Sequence, residues 1–312
     1  MRTVVITGAN AGLGFQAALK LARTGARIVM ACRNLEKARK AQRDLLAEMP
    51  DAQTTIIPLD VSEPASIDEF GRQFSDQIGQ LDILINNAGI VAVPLTRNSV
   101  GHELQLATNY LGAFALTGTL LPFFRNDAPA RIVNVGSLAH RLGKLDLDDL
   151  NWGKAPYSEW KGYARSKVAM LSFTMELNRR LQQRGSKIIA LGAHPGFAAT
   201  EIGKDSAALA PKSPFSKWFH NKVGSLIPAA AEAVMPIIHA ACAENVRGGD
   251  YYGPIGFLEI AGRPGRARVN PIAQDVGIGK RLWALSESMT GIRYLSGSAP
   301  TAANSSSTRT SA

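Results

Sequence analysis

The chain has 312 residues, of which 46% are hydrophobic and 19% are charged. This composition is typical of a folded globular protein with a sizeable core and excludes an intrinsically disordered chain. Lysine and arginine outnumber aspartate and glutamate by 35 to 25, which gives a formal net charge of +10. So basic a chain could bind a polyanion, but no basic run interleaved with aromatic residues supports this, and we expect no nucleic-acid partner.

The N-terminus "MRTVVITGAN" begins directly with a strand pattern and contains no signal-peptide core. Apolar runs are as short as strands, far below the roughly 20 residues of a membrane-spanning helix. We therefore expect a cytoplasmic protein without a membrane anchor. The two cysteines, Cys32 and Cys242, are far apart, and no Cys/His cluster has zinc spacing. We expect neither a disulfide framework nor a metal site.

Six β-branched runs alternate with segments of helical period along the first two thirds of the chain. The predicted strands lie in "TVVITG", "ARIVMACR", "TTIIPLDV", "LDILINNAG", "ARIVNVGS" and "SKIIALGAHPG". The predicted helices are "GLGFQAALKLARTG", "NLEKARKAQRDLLAEM" with Asn34 as its cap, and about 63–78, 101–124 and 157–183. Apolar strands between helices predict an α/β fold, a single Rossmann-like, doubly wound parallel sheet with helices on both faces. We expect one domain over residues 1–295 and a disordered polar tail over 296–312.

A glycine-rich segment, "TGANAGLG", follows the first predicted strand and opens the first predicted helix. Such a loop can be a tight structural turn, but between a strand and a helix it favours binding of a dinucleotide pyrophosphate at the helix N-terminus. Its spacing, Gly-x-x-x-Gly-x-Gly, is a variant of the usual dinucleotide loop. The residues expected to bind are Thr7, Gly8, Asn10, Ala11, Gly12, Leu13 and Gly14.

The end of the second strand indicates which dinucleotide is bound. NAD-binding proteins carry an acidic residue there, which accepts a hydrogen bond from the ribose 2′-hydroxyl. This chain has Cys32 at that place, followed by Arg33, which could fork onto a 2′-phosphate. The sequence therefore favours NADP(H), although Arg33 could also be a solvated loop charge. Asp60 is expected near the adenine amine, with Val61 beside it.

The stretch "YSEWKGYARSK" holds two Tyr-x-x-x-Lys pairs, Tyr157 with Lys161 and Tyr163 with Lys167. Apolar residues continue at helical spacing after Tyr163, which places the second pair inside a helix. Tyr157 directly follows Pro156, so the first pair is expected in a loop or frayed helix start, where neither side chain is well held. We predict that Tyr163 and Lys167 are the functional pair, and that the first pair is a coincidence of spacing that could border a pocket.

The motifs occur in the order "TGANAGLG", "NNAG", Asn109 in "TNYLG", Ser137 in "NVGS", Tyr-x-x-x-Lys with Ser166 before the lysine, and "HPG". Over roughly residues 3 to 260 the chain resembles the short-chain dehydrogenase/reductase family. The segments "SLAHRLGKLDLDDLNW" and "YYGPIGFLEIAGRP" resemble its retinol-dehydrogenase-like branch. The resemblance implies hydride transfer between a nicotinamide and a carbonyl or alcohol carbon, with catalytic residues Asn109, Ser137, Tyr163 and Lys167.

The resemblance also implies a role for each group. Lys167 would lower the pKa of Tyr163 and hold the nicotinamide ribose, Ser137 would bind the substrate oxygen, and Asn109 would support a water. Taken alone, Asn109 could be a helix-bending core amide and Ser137 a helix cap. The remaining cofactor contacts would be Asn86, Asn87, Ala88, Gly89, Pro195, Gly196 and Thr200. Ala198 replaces a valine usual in the family, and His194, with no visible partner, is expected to be structural.

The segment after "HPG", at about 198–226, contains Phe215, Trp218 and Phe219 and would form a lid over a hydrophobic substrate such as a steroid, retinoid or lipid-like ketone. A helix packed on a partner subunit or on the sheet is an equal alternative. Trp152 and Trp160 could line or merely anchor another wall. The substrate contacts are expected at Ser137, Leu138, Tyr163 and Phe197. The resemblance implies a homodimer or homotetramer, and the rival function is a non-catalytic NADP-binding sensor or scaffold.

Overall fold

The computed structural model describes residues 1–125, 127–197 and 229–296. Within them, eight strands form one sheet in the order β3-β2-β1-β4-β5-β6-β7-β8. The strands are β1 (Thr3–Thr7), β2 (Arg27–Cys32), β3 (Thr54–Pro58), β4 (Ile83–Asn86), β5 (Ala130–Val135), β6 (Ile188–Ala193), β7 (Tyr251–Pro254) and β8 (Pro264–Arg266). Neighbouring strands from β1 to β7 are parallel, and β8 pairs antiparallel with β7.

Helices of very different lengths connect and cover these strands. They are α1 (Gly12–Ala22), α2 (Leu35–Glu48), α3 (Pro64–Gln77), α4 (Leu104–Leu106), α5 (Gly112–Leu120), α6 (Glu159–Gln183), α7 (Ala230–Ala233), α8 (Met235–Cys242), α9 (Pro271–Gln274) and α10 (Val276–Thr290). A π-helical turn (Ala107–Leu111) joins α4 to α5, and short 3₁₀ turns lie at Leu121–Phe123, Leu138–Leu142 and Phe257–Glu259. None of the helices that the structure describes is long and apolar enough to cross a membrane.

Two separate hydrophobic cores lie on the two faces of the sheet, which confirms the predicted doubly wound fold. One core gathers side chains of α3, α5, α6 and α10 against the sheet, and the other gathers α1, α2 and α8. The central strands are buried along their whole length because both faces are covered. This is the reason for their uninterrupted apolar sequences.

The six predicted strands are all present, and the structure adds β7 and β8 at one edge. The long helix predicted near residues 101–124 is instead split by the π-helical turn, which widens the helix around Asn109. Helix α6 begins at Glu159 rather than at Tyr157. Asn34 caps α2 as predicted, since its side-chain oxygen accepts a hydrogen bond from the Lys37 backbone N–H, 2.9 Å away.

Helix α10 packs on α6 in the first core. Trp283 of α10 meets Phe114 at a centroid distance of 5.0 Å and Phe173 at 5.9 Å. The chain thus closes its last described helix onto the helix that carries Tyr163. The predicted lid at about 198–226, with Thr200, and the tail from residue 297 onward lie outside the described residues.

Candidate active site

The predicted phosphate loop runs from the end of β1 into α1 and depends on its three glycines. Gly8 and Gly12 have φ of +67° and +53°, a region that disfavours residues with a Cβ atom. A Cβ on Gly14 would lie 2.2 Å from the Gly8 carbonyl oxygen, so the loop folds back directly onto the helix. The glycines therefore keep the backbone of this loop bare and tightly turned.

The first backbone N–H groups of α1 lie at this loop and have no partner within the helix. Its N-cap residue, Ala11, makes no side-chain capping bond, and no acidic residue lies in the first turn. A helix start left in this way attracts anions through its N–H groups and the helix dipole. The residues present thus fit the pyrophosphate of a dinucleotide.

Arg33 projects from the end of β2 into solvent. Its side chain is 74% exposed, and its Nη1 lies 3.3 Å from Asp60 Oδ2. Cys32, beside it, is buried, and burial raises its thiol pKa to about 11. The Asp60 carboxylate also accepts hydrogen bonds from the Ser62 backbone N–H and hydroxyl, which hold the turn after β3. The structure thus brings Arg33 and Asp60 to one point at the end of the sheet, with no carboxylate at position 32.

The segment "NNAG" is hydrogen-bonded to Thr7, the first residue of the phosphate loop. Asn87 donates from Nδ2 to the Thr7 carbonyl oxygen at 2.8 Å, and the Thr7 hydroxyl accepts from the backbone N–H groups of Asn87 and Ala88. Asn86 behaves differently from expectation. Its buried side chain donates to Asn134 Oδ1 and Thr117 Oγ1 inside the core, so it ties β4 to β5 and α5 rather than lining a cleft.

Asn109 lies in the π-helical turn, fully buried, with its amide paired at both ends. Nδ2 donates to the Ile90 carbonyl and to Ser166 Oγ, both at 2.9 Å, and Oδ1 accepts from the Ile90 N–H at 2.8 Å. A Cβ on Gly89 would lie 3.0 Å from Asn109 Oδ1 and 3.6 Å from Lys167 Nζ. Asn109 therefore fastens the "NNAG" turn to the helix of Tyr163. Both amide protons are used in doing so, and a water would have to bind elsewhere on this residue.

Ser137 and Tyr163 meet at the carboxyl end of β5. Ser137 follows this strand and caps the 3₁₀ turn Leu138–Leu142 by accepting from the Ala139 N–H. Its side chain lies close enough to the Tyr163 phenol to act on the tyrosine pKa. Tyr163 is buried at the first turns of α6, and burial raises its pKa against a smaller lowering by Ser137. The lowering of the tyrosine pKa that we expected from Lys167 is not seen; Lys167 Nζ lies 5.9 Å from the centre of the Tyr163 ring.

Lys167 lies one helical turn beyond Tyr163 in the same buried space. Its Nζ is 5.9 Å from the centre of the Tyr163 ring and donates to the Val135 carbonyl at 2.9 Å. Burial lowers the lysine pKa to about 8. Among the described residues the ammonium thus has one acceptor, and it is poorly solvated, which leaves donor capacity for a ligand.

The alternative pair lies at a loop and a helix start, as predicted, but Tyr157 is held more firmly than we expected. Lys161 is exposed in the first turn of α6, whereas Tyr157 lies before the helix and is firmly held. The Tyr157 hydroxyl donates towards Glu103 Oε1 and the Val93 carbonyl and accepts from Gln105 Nε2 at 2.6 Å. The prediction that Tyr157 is loosely held is wrong. With those groups Tyr157 belongs to a half-buried hydrogen-bond network.

The two tryptophans of the preceding segment divide between the roles considered for them. Trp152 is buried, stacks under the Arg165 guanidinium at 3.8 Å and packs edge-on with Tyr157. Trp160 is 42% exposed and meets the Tyr163 ring edge-on at 6.1 Å. Trp152 therefore anchors the segment, and Trp160 forms a wall beside Tyr163.

The turn after β6 contains a buried histidine–carboxylate contact that we did not anticipate. His194 is fully buried, and its Nε2 lies 3.1 Å from Glu259 Oε2. Its Nδ1 accepts from the Gly196 N–H at 3.1 Å, and burial is the main cause of the lowered His194 pKa. Glu259 lies 65 residues away in the chain, which is why no partner of His194 is visible in the sequence. Gly196 itself has φ of +75° and touches the Ile260 carbonyl.

The proposed catalytic groups therefore converge from three elements: Ser137 from the end of β5, Tyr163 and Lys167 from α6, and Asn109 from the π-helical turn. The hydroxyl of Ser137 and the phenol of Tyr163 could bind one substrate oxygen together. The phosphate loop, Arg33 and the Pro195–Gly196 turn all follow carboxyl ends of strands at the same edge of the sheet, where open α/β sheets bind ligands.

Comparison with known proteins agrees with this geometry. A sequence profile of the family described as short chain dehydrogenase matches residues 2–209. Human retinol dehydrogenase 13 is 38% identical over 294 residues, covering 93% of this chain and 85% of that protein, and human retinol dehydrogenase 12 is 36% identical over 299 residues, with 94% and 87% covered.

Among solved structures, that of an uncharacterised protein from Mycobacterium paratuberculosis superimposes with a TM-score of 0.75, at 38% identity and with 94% of both chains covered. All three proteins are 36 to 38% identical to this chain, and one of them shares its fold. The chain therefore belongs to the short-chain dehydrogenase family of oxidoreductases, in its retinol-dehydrogenase-like branch.

Proposed function

We propose that this protein is an NADP-dependent oxidoreductase that interconverts a carbonyl and an alcohol on a hydrophobic substrate. The observation that carries the proposal is the convergence of Ser137, Tyr163 and Lys167 at the carboxyl end of β5, where the Ser137 side chain is near enough to the Tyr163 phenol to act on its pKa. A bound nicotinamide supplies or accepts the hydride. The chain's own side chains provide the proton and hold the substrate oxygen.

In the direction of reduction, Tyr163 donates its phenolic proton to the carbonyl oxygen as that oxygen gains negative charge. A raised pKa keeps the phenol protonated at neutral pH and therefore available as an acid. Ser137 donates a second hydrogen bond to the same oxygen and orients it. Lys167 faces the same space with unused donors, which suit the ribose hydroxyls of the nicotinamide half.

The preference for NADP rests on the residues at the end of β2. Arg33 is mostly exposed and carries a guanidinium that can bind a 2′-phosphate in a forked geometry, whereas the acidic residue that would accept from a ribose hydroxyl is replaced by Cys32. Asp60 lies within reach of Arg33, and it orients the guanidinium at the place where the adenosine half is expected.

A hydrophobic substrate is supported by apolar side chains around the opening of the site. Loops after β5, β6 and β7 carry large apolar residues that are 44 to 87% exposed, namely Leu142, Phe197, Ile255, Phe257 and Leu258. A surface rich in such side chains beside polar catalytic groups is typical of sites for apolar ligands. Human retinol dehydrogenases 12 and 13 act, by name, on an apolar alcohol, which agrees with this proposal.

A screen of ketones, aldehydes and alcohols, followed through NADPH absorbance at 340 nm, tests the function directly. We expect turnover with apolar carbonyl compounds and none with the Tyr163→Phe variant. Tight NADPH binding without turnover of any compound would instead favour the sensor or scaffold. The homodimeric or homotetrameric state, the cytoplasmic location and the 1–295 domain boundary stay predictions.

A further inference from the structure

Glu259 is a carboxylate, 14% exposed, that bridges the two turns flanking the proposed site. Its Oε2 lies 3.1 Å from His194 Nε2 and 2.5 Å from Arg141 Nη2, and its Oε1 accepts from the Arg268 N–H at 3.2 Å. His194 directly precedes the Pro195–Gly196 turn, and Arg141 belongs to the 3₁₀ turn that Ser137 caps. One carboxylate thus contacts both turns.

The protonation state of this cluster follows from its hydrogen bonds. The Gly196 N–H donates to Nδ1 of His194, so Nδ1 carries the lone pair and the ring proton lies on Nε2, facing Glu259. With His194 neutral, the negative charge of Glu259 and the positive charge of Arg141 offset each other. Arg141 Nη2 is close to the carboxylate without hydrogen-bond geometry, and its Nε finds no acceptor among the described residues, so charge is what holds Arg141 there.

The backbone is strained where it presents this carboxylate. Leu258 and Glu259 have φ of +52° and +59°, a region unusual for residues other than glycine. The same segment touches the opposite turn, because the Phe197 N–H donates to the Ile260 carbonyl at 3.0 Å and a Cβ on Gly196 would lie 2.1 Å from that oxygen. Strain of this kind persists only where the surroundings fix the conformation.

Glu259 is also linked to the Ser137 turn through Arg268 and His140. His140 is fully buried, with Nδ1 2.5 Å from the Ser137 carbonyl and Nε2 3.1 Å from the Arg268 carbonyl. The Arg268 backbone therefore contacts His140 through its carbonyl and Glu259 through its N–H. A shift of Glu259 would be passed to Ser137 through Arg141 and through Arg268 with His140.

We propose that Glu259 is a positioning residue that keeps the Ser137 turn and the Pro195–Gly196 turn at a fixed separation by binding Arg141 and His194 at once. This inference rests on the proposed function, since it assigns the first turn to the substrate oxygen and the second to the nicotinamide. Glu259 touches neither substrate nor cofactor in this role. It acts through the two turns that do.

The test compares Glu259→Ala, Glu259→Gln and the pair Glu259→Ala with Arg141→Met, with Arg263→Gln as a control on a nearby exposed arginine. We expect Glu259→Ala to lower kcat/KM for carbonyl reduction at least tenfold, because small displacements of catalytic groups cost about that much or more. Glu259→Gln keeps an acceptor for His194 and should lose less. Adding Arg141→Met to Glu259→Ala should lower kcat/KM little further, because both changes break the same contact.

Ligand-binding measurements distinguish a positioning role of Glu259 from general damage to the fold. NADPH should bind more weakly to Glu259→Ala, whereas adenosine 2′,5′-bisphosphate, which reaches only the α1 loop and Arg33, should bind as to the unchanged protein. Wild-type kcat/KM in a folded Glu259→Ala protein would overturn the inference, and so would equal weakening of both ligands or equal loss in Arg263→Gln. If the wild-type protein neither bound NADPH nor reduced any carbonyl compound, the proposed function would instead be contradicted.

Discussion

Lys167 Nζ donates to the Val135 carbonyl oxygen, 2.9 Å away, from a side chain that is almost completely buried. Burial lowers the lysine pKa from 10.5 to about 8. A lowered pKa means that folding disfavours the charged form, at about 1.4 kcal/mol per pKa unit, so the charged lysine opposes folding at neutral pH. The stability contribution of this group is favourable above pH 10.5 and is lost as the pH falls through 8.

Lys167→Met should therefore abolish turnover and yet stabilise the protein. We expect the free energy of unfolding at pH 7 to rise by about 1–2 kcal/mol, because the desolvated charge is removed and only one hydrogen bond is lost. Urea unfolding measures this, with Lys161→Met, an exposed lysine of the same helix, as the control. A destabilised Lys167→Met protein would show that the ammonium is better compensated than the structure indicates.

Replacing Tyr163 or Tyr157 by phenylalanine should have opposite effects on turnover and on stability. Tyr163→Phe should lower kcat by at least roughly 100-fold, the usual contribution of a positioned acid, while NADPH affinity and stability change little. Tyr157→Phe removes the hydroxyl bound to Glu103 and Gln105 and should cost about 1–3 kcal/mol of unfolding free energy while turnover persists. Steady-state kinetics and urea unfolding of both variants decide the assignment. The reverse pattern would make Tyr157 the catalytic tyrosine.

The sequence predicted β1 to β6 because their apolar runs are buried on both faces of a parallel sheet. It did not predict β7 and β8, whose sequences "YYGP" and "PGR" contain Gly and Pro, residues that strands disfavour. Those strands exist because of tertiary pairing, such as Gly192 with Tyr251. Local preference carries no signal for such a contact.

The site likewise combines residues that local motifs predict with residues that only tertiary contacts bring together. The glycine loop and the Tyr163–Lys167 pair are local motifs, and their chain spacing gives their geometry. Glu259 lies 65 residues from His194, and Tyr157 lies 54 residues from Glu103, so only the folded chain brings these partners together. Buried carboxylates at long range, with no periodic pattern around them, are therefore the part of the site that sequence reasoning misses.

Arg33 should determine the choice between the two dinucleotides. Arg33→Ala should weaken NADPH binding by roughly 10- to 100-fold, the value of a charge-assisted hydrogen bond, and leave NADH affinity nearly unchanged. Fluorescence titration of both cofactors measures this. Arg39→Ala, an exposed arginine on α2, is the control and should alter neither affinity. Equal affinities of the unchanged protein for NADPH and NADH would contradict the NADP preference.

Acid should destabilise this protein well above the range in which carboxylates titrate. All four described histidines, His102, His140, His194 and His239, have pKa values lowered from 6.5, with burial as the largest cause. Because their folded pKa values lie below the unfolded value, their contribution to stability is complete above pH 6.5 and is lost as the pH falls. Asp127 and Asp149, whose pKa values are also lowered, lose theirs only below about 3.8.

Urea unfolding between pH 7.5 and 4.5 should therefore show a continuous fall in unfolding free energy, starting near pH 6.5. His194→Gln should be less stable than the unchanged protein at pH 7.5, because the contact with Glu259 is altered, but its pH dependence should be flatter. The less buried His239→Gln should change the slope less. An unfolding free energy that stays constant down to pH 5 would mean that these histidines become protonated in the folded protein without cost.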